Sequence, residues 1–426
     1  MKKIHITSPA FSFLFIFANC LALISCEESI ENKTIEVEAI PYVPITLTRA
    51  ESEINEGLCD FSCRFFQAGL EAESEKNVCL SPISLEISLS MLQCGMEEKK
   101  SQELAELMGL SSYSLDEIAA FYSKLGKCIN EIDNLTTFEK ANSVWYRDDY
   151  TLAEIFQNRL TTLYEAELNA VDFGDAGTVN KINDWCAKKT DNKIKELLDA
   201  TTPNDIMHLM DAVYFKSIWG NAFDTTKTTK KTFHNATEND KKVEMMYQEN
   251  VNVWKQNKYT KVSLPFGNGA FFMSFILPDE NVSISEAVRC YCNDYKDLIR
   301  RKNCCATSSY YKVWIPKFTT EYSCLLNDVM DKMGVGEILN PDEGYQIFEN
   351  SMVDAVTQIL QKTYLAIDEE NAEAASVTDI MMSFGDAGPV HSEPTEVVIT
   401  FDRPFAYTIF ERSTGCPLFM GCVRNL

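Results

Sequence analysis

The sequence predicts a single α+β domain, and three observations predict it. Apolar residues recur at helical spacing through the first half of the chain. Short runs rich in β-branched and aromatic residues crowd the second half. No linker, low-complexity block or internal repeat separates the halves, so helices and strands are expected to share one core. With 426 residues, 45% hydrophobic and 11% aromatic, the chain has ample material for that core.

The elements follow in order. Lys2 and Lys3 precede an apolar run over residues 11–24, interrupted by Ser12 and Asn19 and short for a membrane span. Residues 1–25 therefore read as a signal peptide. The run ends Leu23-Ile24-Ser25-Cys26, which resembles a bacterial lipobox, so Cys26 is the expected lipidation site of an exported protein anchored to a bacterial membrane. Periplasmic and cell-surface display both stay open. Residues 26–50, acidic and carrying Pro41 and Pro44, read as a flexible tether, and the domain proper as 51–426. Ile54, Leu58, Phe61 and Phe65 predict an amphipathic helix. NVCLSPISLEISLSMLQCG (77–95) is a short apolar run, a Ser-Pro break and a second run at helical spacing. Asn142 to Trp145 reads as a strand, and Ile182, Trp185, Ile194, Leu197 and Leu198 as helix with a short turn between. LMDAVYFKSIW (209–219) reads as a buried strand, being nearly continuous in apolar residues. VSLPF (262–266), FFMSFILP (271–278), VWIPKF (313–318), EVVITF (396–401) and FAYTIF (405–410) predict further strands.

The charge and the missing motifs exclude much. A formal net charge of −24 and a pI near 4.6 argue against nucleic acid as a partner, because phosphates would be repelled. No G-x-S-x-G, H-E-x-x-H, P-loop or G-x-G-x-x-G occurs. His5 leaves with the signal peptide, and His208, His234 and His391 have no recognisable nucleophile beside them in sequence, so no catalytic residue is assigned. The fifteen cysteines lose Cys20 and Cys26 to the leader and the lipid, leaving an odd number at irregular spacing, which is no disulfide framework. Cys290, Cys292, Cys304 and Cys305 do not have a usual zinc spacing, so neither metal nor cofactor is expected. Free thiols fit a reducing habitat better.

One stretch, IDEENAEAASVTDIMMSFGDAGPV (367–390), can be read two ways. Asp368 could cap a helix with Glu369 and Glu370 in its first turn. As a strand, it instead splits by parity: Ala372, Ala374, Ser376, Thr378, Ile380 and Met382 form a charge-free side, with Glu373 and Asp379 on the other. Gly385, Gly388, Pro389 and Pro394 then break any regular element, so the strand would join a loop.

Six stretches together resemble the serpin family, in family order. They are the 77–95 stretch above, INDWCAKKTDNKIKELL (182–198), DAVYFKSIW (211–219), WIPKF (314–318), QKTYLAIDEENAEAAS (361–376) and FDRPFAYTIFERSTGCPLFMGCVRNL (401–426). The resemblance implies a serpin-like α+β fold with three β-sheets, about nine helices and an exposed reactive loop at about 369–400. It implies a suicide-type inhibitor, monomeric and not an enzyme, that traps serine or cysteine endopeptidases when the cut loop inserts into the main sheet. The loop hinge would be Glu369, Glu370, Asn371, Ala372, Glu373, Ala374, Ala375 and Ser376. Its inward parity set carries no charge, and no proline lies between Glu369 and Gly388, which favours an inhibitor. Asn371 stands where the family usually has glycine, a modest departure because Asn tolerates positive φ.

The reactive bond, counted in the family's manner from Glu369, falls at Phe384 or Gly385, with Met382, Ser383 and Asp386 as neighbours. Counting back from FDRPF would place it nearer Glu393. The hinge count is preferred because the inserted length sets how far the protease is carried. No Lys or Arg lies between Glu369 and Arg403, so a chymotrypsin-like or elastase-like target is expected over a trypsin-like one. In the family's shutter, Ser81 and Ser84 match, whereas Asp211 replaces Asn and Gln361 replaces His; a Gln amide donating to the Asp carboxylate would restore the pair. The rival readings are a serpin-fold binding protein cleaved as an ordinary substrate, and a hydrolase with an unrecognised site.

Overall fold

The computed structural model describes residues 3–6, 35–301, 311–336, 338, 344–349, 359–369 and 397–426. Helix α1 (Arg49–Ala72) starts at a capping box in which Thr48 accepts from the Glu51 amide and Glu51 accepts from that of Thr48. Upstream, residues within the segment read as a tether touch the body: Asn134 accepts from the Ile40 amide, Lys124 donates to the Thr46 carbonyl, and Ser413 accepts from the Ile45 amide. Farther upstream, Lys3–Ile6 pairs antiparallel with Ile35–Glu38.

After the short strand Val78–Leu80 comes helix α2 (Pro82–Gln93), every residue of which is buried. Three further helices precede residue 164: Glu98–Met108, Leu115–Glu131 and Glu154–Leu163. The helix Thr178–Lys189 ends in the expected short turn, where Asp191 and Asn192 take positive φ. The second helical piece, through Ile194 and Leu198, is instead irregular. The Asn183 carboxamide then accepts from the Leu197 and Leu198 amides, which a further helical turn would have satisfied internally. With Ile284–Arg301 and Asn327–Lys332, the described residues hold eight α-helices.

Three larger sheets carry the fold. Six strands run in the order Val78–Leu80, Pro417–Val423, Phe405–Glu411, Phe271–Pro278, Tyr259–Phe266 and Asn252–Lys255. Four run as Val397–Thr400, Tyr311–Pro316, Lys241–Glu249 and Thr229–Phe233. Five run as Phe318–Leu325, Ile359–Ile367, Met207–Ser217, Thr136–Arg147 and Glu167–Val171. The expected single strand VWIPKF is split between two of these sheets, with Lys317 at the corner. The helix α2 and the six-stranded sheet share the main core, where Phe61, Leu89, Phe271, Tyr407 and Phe419 are fully buried.

Candidate functional site

The centre of the five-stranded sheet is the unusual feature. Ile359–Ile367 and Met207–Ser217 run parallel, while each pairs antiparallel with its outer neighbour. The central ladder runs from the Ile359–Leu209 pair to the Tyr364–Tyr214 pair and stops, although the two strands continue to Ile367 and Ser217. Their outer partners follow them to the end: Phe318 faces Ile367, and Thr136 faces Ser217. The sheet is therefore parted between its two middle strands at the end where the chain leaves Ile367 towards Glu369.

That exit is held by three side chains. The Trp219 indole N–H donates to the Asp368 carbonyl at 2.9 Å; the indole is itself buried and stacked on Phe266 with centroids 4.4 Å apart. The Glu369 carboxylate, only 5% exposed, accepts from the Thr228 hydroxyl and lies 2.6 Å from the Lys317 ammonium. Lys317 also reaches Glu244 at 3.4 Å. Burial alone would raise the Glu369 carboxyl, but the Lys317 ammonium and Thr228 hydroxyl outweigh it and hold the group below the usual carboxylate range. Lys317 in turn is held high by Glu369 and Glu244 against its own desolvation.

Lower on the same strand, Gln361 ties the sheet to the elements beneath it. Its Oε1 accepts from the Ser81 amide at 2.9 Å, and its Nε2 donates to the Ser81 carbonyl at 2.9 Å and reaches Ser84 Oγ at 3.5 Å. The side chain thus serves Ser81 as a neighbouring strand would, just where Val78–Leu80 gives way to α2. Ser81 does not cap α2 with its own side chain; its hydroxyl goes to the Leu418 carbonyl at 2.9 Å. Two residues on, Thr363 donates to the Cys79 carbonyl at 2.7 Å.

Of the sequence-predicted site, the structure brings together Ser81, Ser84 and Gln361. Asp211 stands opposite Gln361 across the central ladder and opposite Asn142 on its other side. The amide contacts seen for Gln361 go to Ser81 and Ser84; the expected partner, the Asp211 side chain, lies outside the described residues, as do Glu139, Lys140 and Ala212 side chains. Glu369 is at the exit. Glu370, Asn371, Ala372, Glu373, Ala374, Ala375 and Ser376, the bond candidates Met382, Ser383, Phe384, Gly385 and Asp386, and Cys26 all lie outside the described residues.

Sequence reasoning missed Thr228, Lys317 and Trp219. Trp219 ends and Lys317 lies within two family-like stretches, DAVYFKSIW and WIPKF, but nothing local says that both reach residues 368–369. Among the described residues no group of three or more His, Cys, Asp or Glu is placed to hold a metal. His208 is buried against Phe173 and bonds Asp205, and His234 bonds Asp240.

Comparison with known proteins agrees with this architecture. The family model described as "Serpin (serine protease inhibitor)" matches residues 56–426. A serpin-like protein from Methanosarcina acetivorans is 26% identical over all of this chain and 99% of its own length. Corticosteroid-binding globulin from Bos taurus is 26% identical over 86% of this chain and 89% of its own, and serine protease inhibitor 42Dd from Drosophila melanogaster 26% over 84% and 94%. The native-state crystal structure of the thermophilic serpin Tengpin superposes with a TM-score of 0.76 at 24% identity, covering 92% of this chain and 98% of that one. The chain belongs to the serpin family.

Proposed function

We propose that this serpin is a suicide-type inhibitor of serine, and secondarily cysteine, endopeptidases of chymotrypsin-like or elastase-like preference. The single observation that carries this reading is the parted pair of parallel strands beside the loop exit. A segment turning back from Glu369 into that gap would run antiparallel to Ile359–Ile367 and, because the two strands are parallel, antiparallel to Met207–Ser217 as well. One parallel ladder would become two antiparallel ones, the better-paired arrangement. Serpin-loop insertion is itself the established example of such strand addition. Residues 369–384, fully extended, measure about 50 Å at roughly 3.3 Å per residue, more than the length of the 11-residue strand Met207–Ser217. Cleavage after Phe384 would therefore let the loop traverse the whole sheet and carry an acyl-linked protease from one end to the other.

The test is incubation with chymotrypsin, elastase and trypsin, followed by denaturing electrophoresis and mass spectrometry. An SDS-resistant adduct with the first two supports inhibition; clean cleavage without adduct supports the second reading, a binding protein cut as a substrate. That reading draws on the relative named corticosteroid-binding globulin. A lipid anchor at Cys26 belongs to the same proposal: Cys26→Ala should move the protein from the detergent to the aqueous phase on partitioning, and unchanged partitioning removes the anchor.

A further inference from the structure

Helix α1 packs on the helix Ile284–Arg301, and the two meet through a pair of thiols. Cys63, in α1, has its Sγ 3.9 Å from the carbonyl oxygen of Cys292, in the helix Ile284–Arg301. Cys292 returns the contact, its Sγ lying 3.9 Å from the carbonyl oxygen of Cys63. Each sulfur therefore lies against the other residue's peptide across one seam between the two helices. A disulfide needs two side chains that meet across one such seam, since thiols on diverging vectors cannot be joined without moving backbone. Both residues are buried, and the Tyr291 phenol feels both. The neighbouring thiol is placed differently: Cys59 is directed to the Gly415 carbonyl at 3.8 Å, away from the other helix's cysteine.

We propose that Cys63 and Cys292 are a disulfide site, closed when the chain folds in the presence of a disulfide oxidant and open otherwise. With oxidised glutathione as oxidant, one cysteine thiolate attacks its S–S bond, releasing one glutathione thiolate and leaving a mixed disulfide. The second cysteine thiolate attacks the protein sulfur of that mixed disulfide and expels the second glutathione. Two protein thiols lose two protons and two electrons, and one glutathione disulfide becomes two glutathione thiols. Because the pair is buried once the helices dock, closure belongs to folding rather than to the finished surface. The bond would staple α1 to a helix more than 200 residues later, closing a long loop of the unfolded chain.

The experiment is refolding of the full chain from denaturant with oxidised and reduced glutathione, alkylation, tryptic digestion without reductant and mass spectrometry. The expected product links residues 50–64 to residues 290–296. These peptides also contain Cys59 and Cys290, so the assignment needs variants. Cys63→Ala and Cys292→Ala should each abolish the linked species, and Cys59→Ala and Cys290→Ala should each retain it. Circular dichroism confirms that each variant has refolded. Absence of the linked species in the folded parent, its survival in folded Cys63→Ala, or preferential linkage of Cys59 to Cys416 would each overturn the proposal.

Discussion

Replacing Glu369 by Gln tests whether the exit clamp holds the loop at its root. The perturbation keeps the shape and an oxygen for the Thr228 hydroxyl but removes the charge facing Lys317. At 2.6 Å and an effective dielectric of about 20, the gross attraction is about 6 kcal/mol. Most of this is offset, since desolvating both ions costs several kcal/mol. Glu369 is only 4% exposed in its side chain but Lys317 is 33% exposed and keeps Glu244, so the pair sits between a buried bridge and a surface one. The net loss should be about 2 kcal/mol. A double-mutant cycle with Lys317→Met, read by urea unfolding, should return a coupling of about 1–2 kcal/mol. Because Glu369 is held below the ordinary carboxylate range, its stabilisation is present above the unfolded-state value of about 4 and is lost as pH falls through the lower folded value. The coupling should accordingly fade in acid. In function, a freed root should let the intact loop enter the gap early, so Glu369→Gln incubated warm should lose its capacity to form SDS-resistant adducts faster than the parent. A coupling below about 0.5 kcal/mol together with an unchanged rate of capacity loss would refute the clamp.

Four further outcomes follow from the same structure. Gln361→Ala should cost about 2–4 kcal/mol in urea, because the buried Ser81 amide loses its acceptor and the Ser81 carbonyl and Ser84 hydroxyl lose a donor; a change within 0.5 kcal/mol would show that the contacts are incidental. Burial pushes the Glu86 carboxyl well above the usual range, even though the Ser62 hydroxyl donates to it. Its neutral form is what the fold accepts, so stability should be full below the unfolded value of about 4.3 and fall as pH rises through the folded value. Glu86→Gln should flatten that decline, and an identical pH profile for parent and variant would contradict the assignment. Ala374→Arg should be cleaved at the parent rate yet leave most protease free, since the charge must enter the core beneath the sheet; inhibition at the parent stoichiometry would rule out insertion. The C-terminal peptide released on denaturing a trapped complex should begin at Gly385 or within two residues of it, and a start beyond Pro389 would displace the reactive bond.

The sequence determined by itself what local pattern can determine. The apolar spacing of Ile54, Leu58, Phe61 and Phe65 could only suit a helix with one buried face, and that face is buried in α1. The Ser81-Pro82 break could only end a strand and begin a helix, since proline lacks a donor and suits the first helical turn. Family order along six stretches gave the fold class, which the three sheets and eight described helices match. Local pattern failed where a residue's role depends on another far away in the chain. VWIPKF reads as one strand because nothing in its alternation announces that Lys317 turns a corner between sheets. Ile194 and Leu198 look helical until side-chain oxygens of Thr190 and Asn183 supply the bonds that a helix would have made. Only the tertiary structure joined Glu369 to Lys317, Thr228 and Trp219. With 63 acidic residues in the sequence, each lysine has many conceivable partners, and only packing selects among them. The parting of two parallel strands is likewise a property of how sheets assemble, since hydrogen-bond register between strands some 150 residues apart leaves no trace in either strand's own alternation.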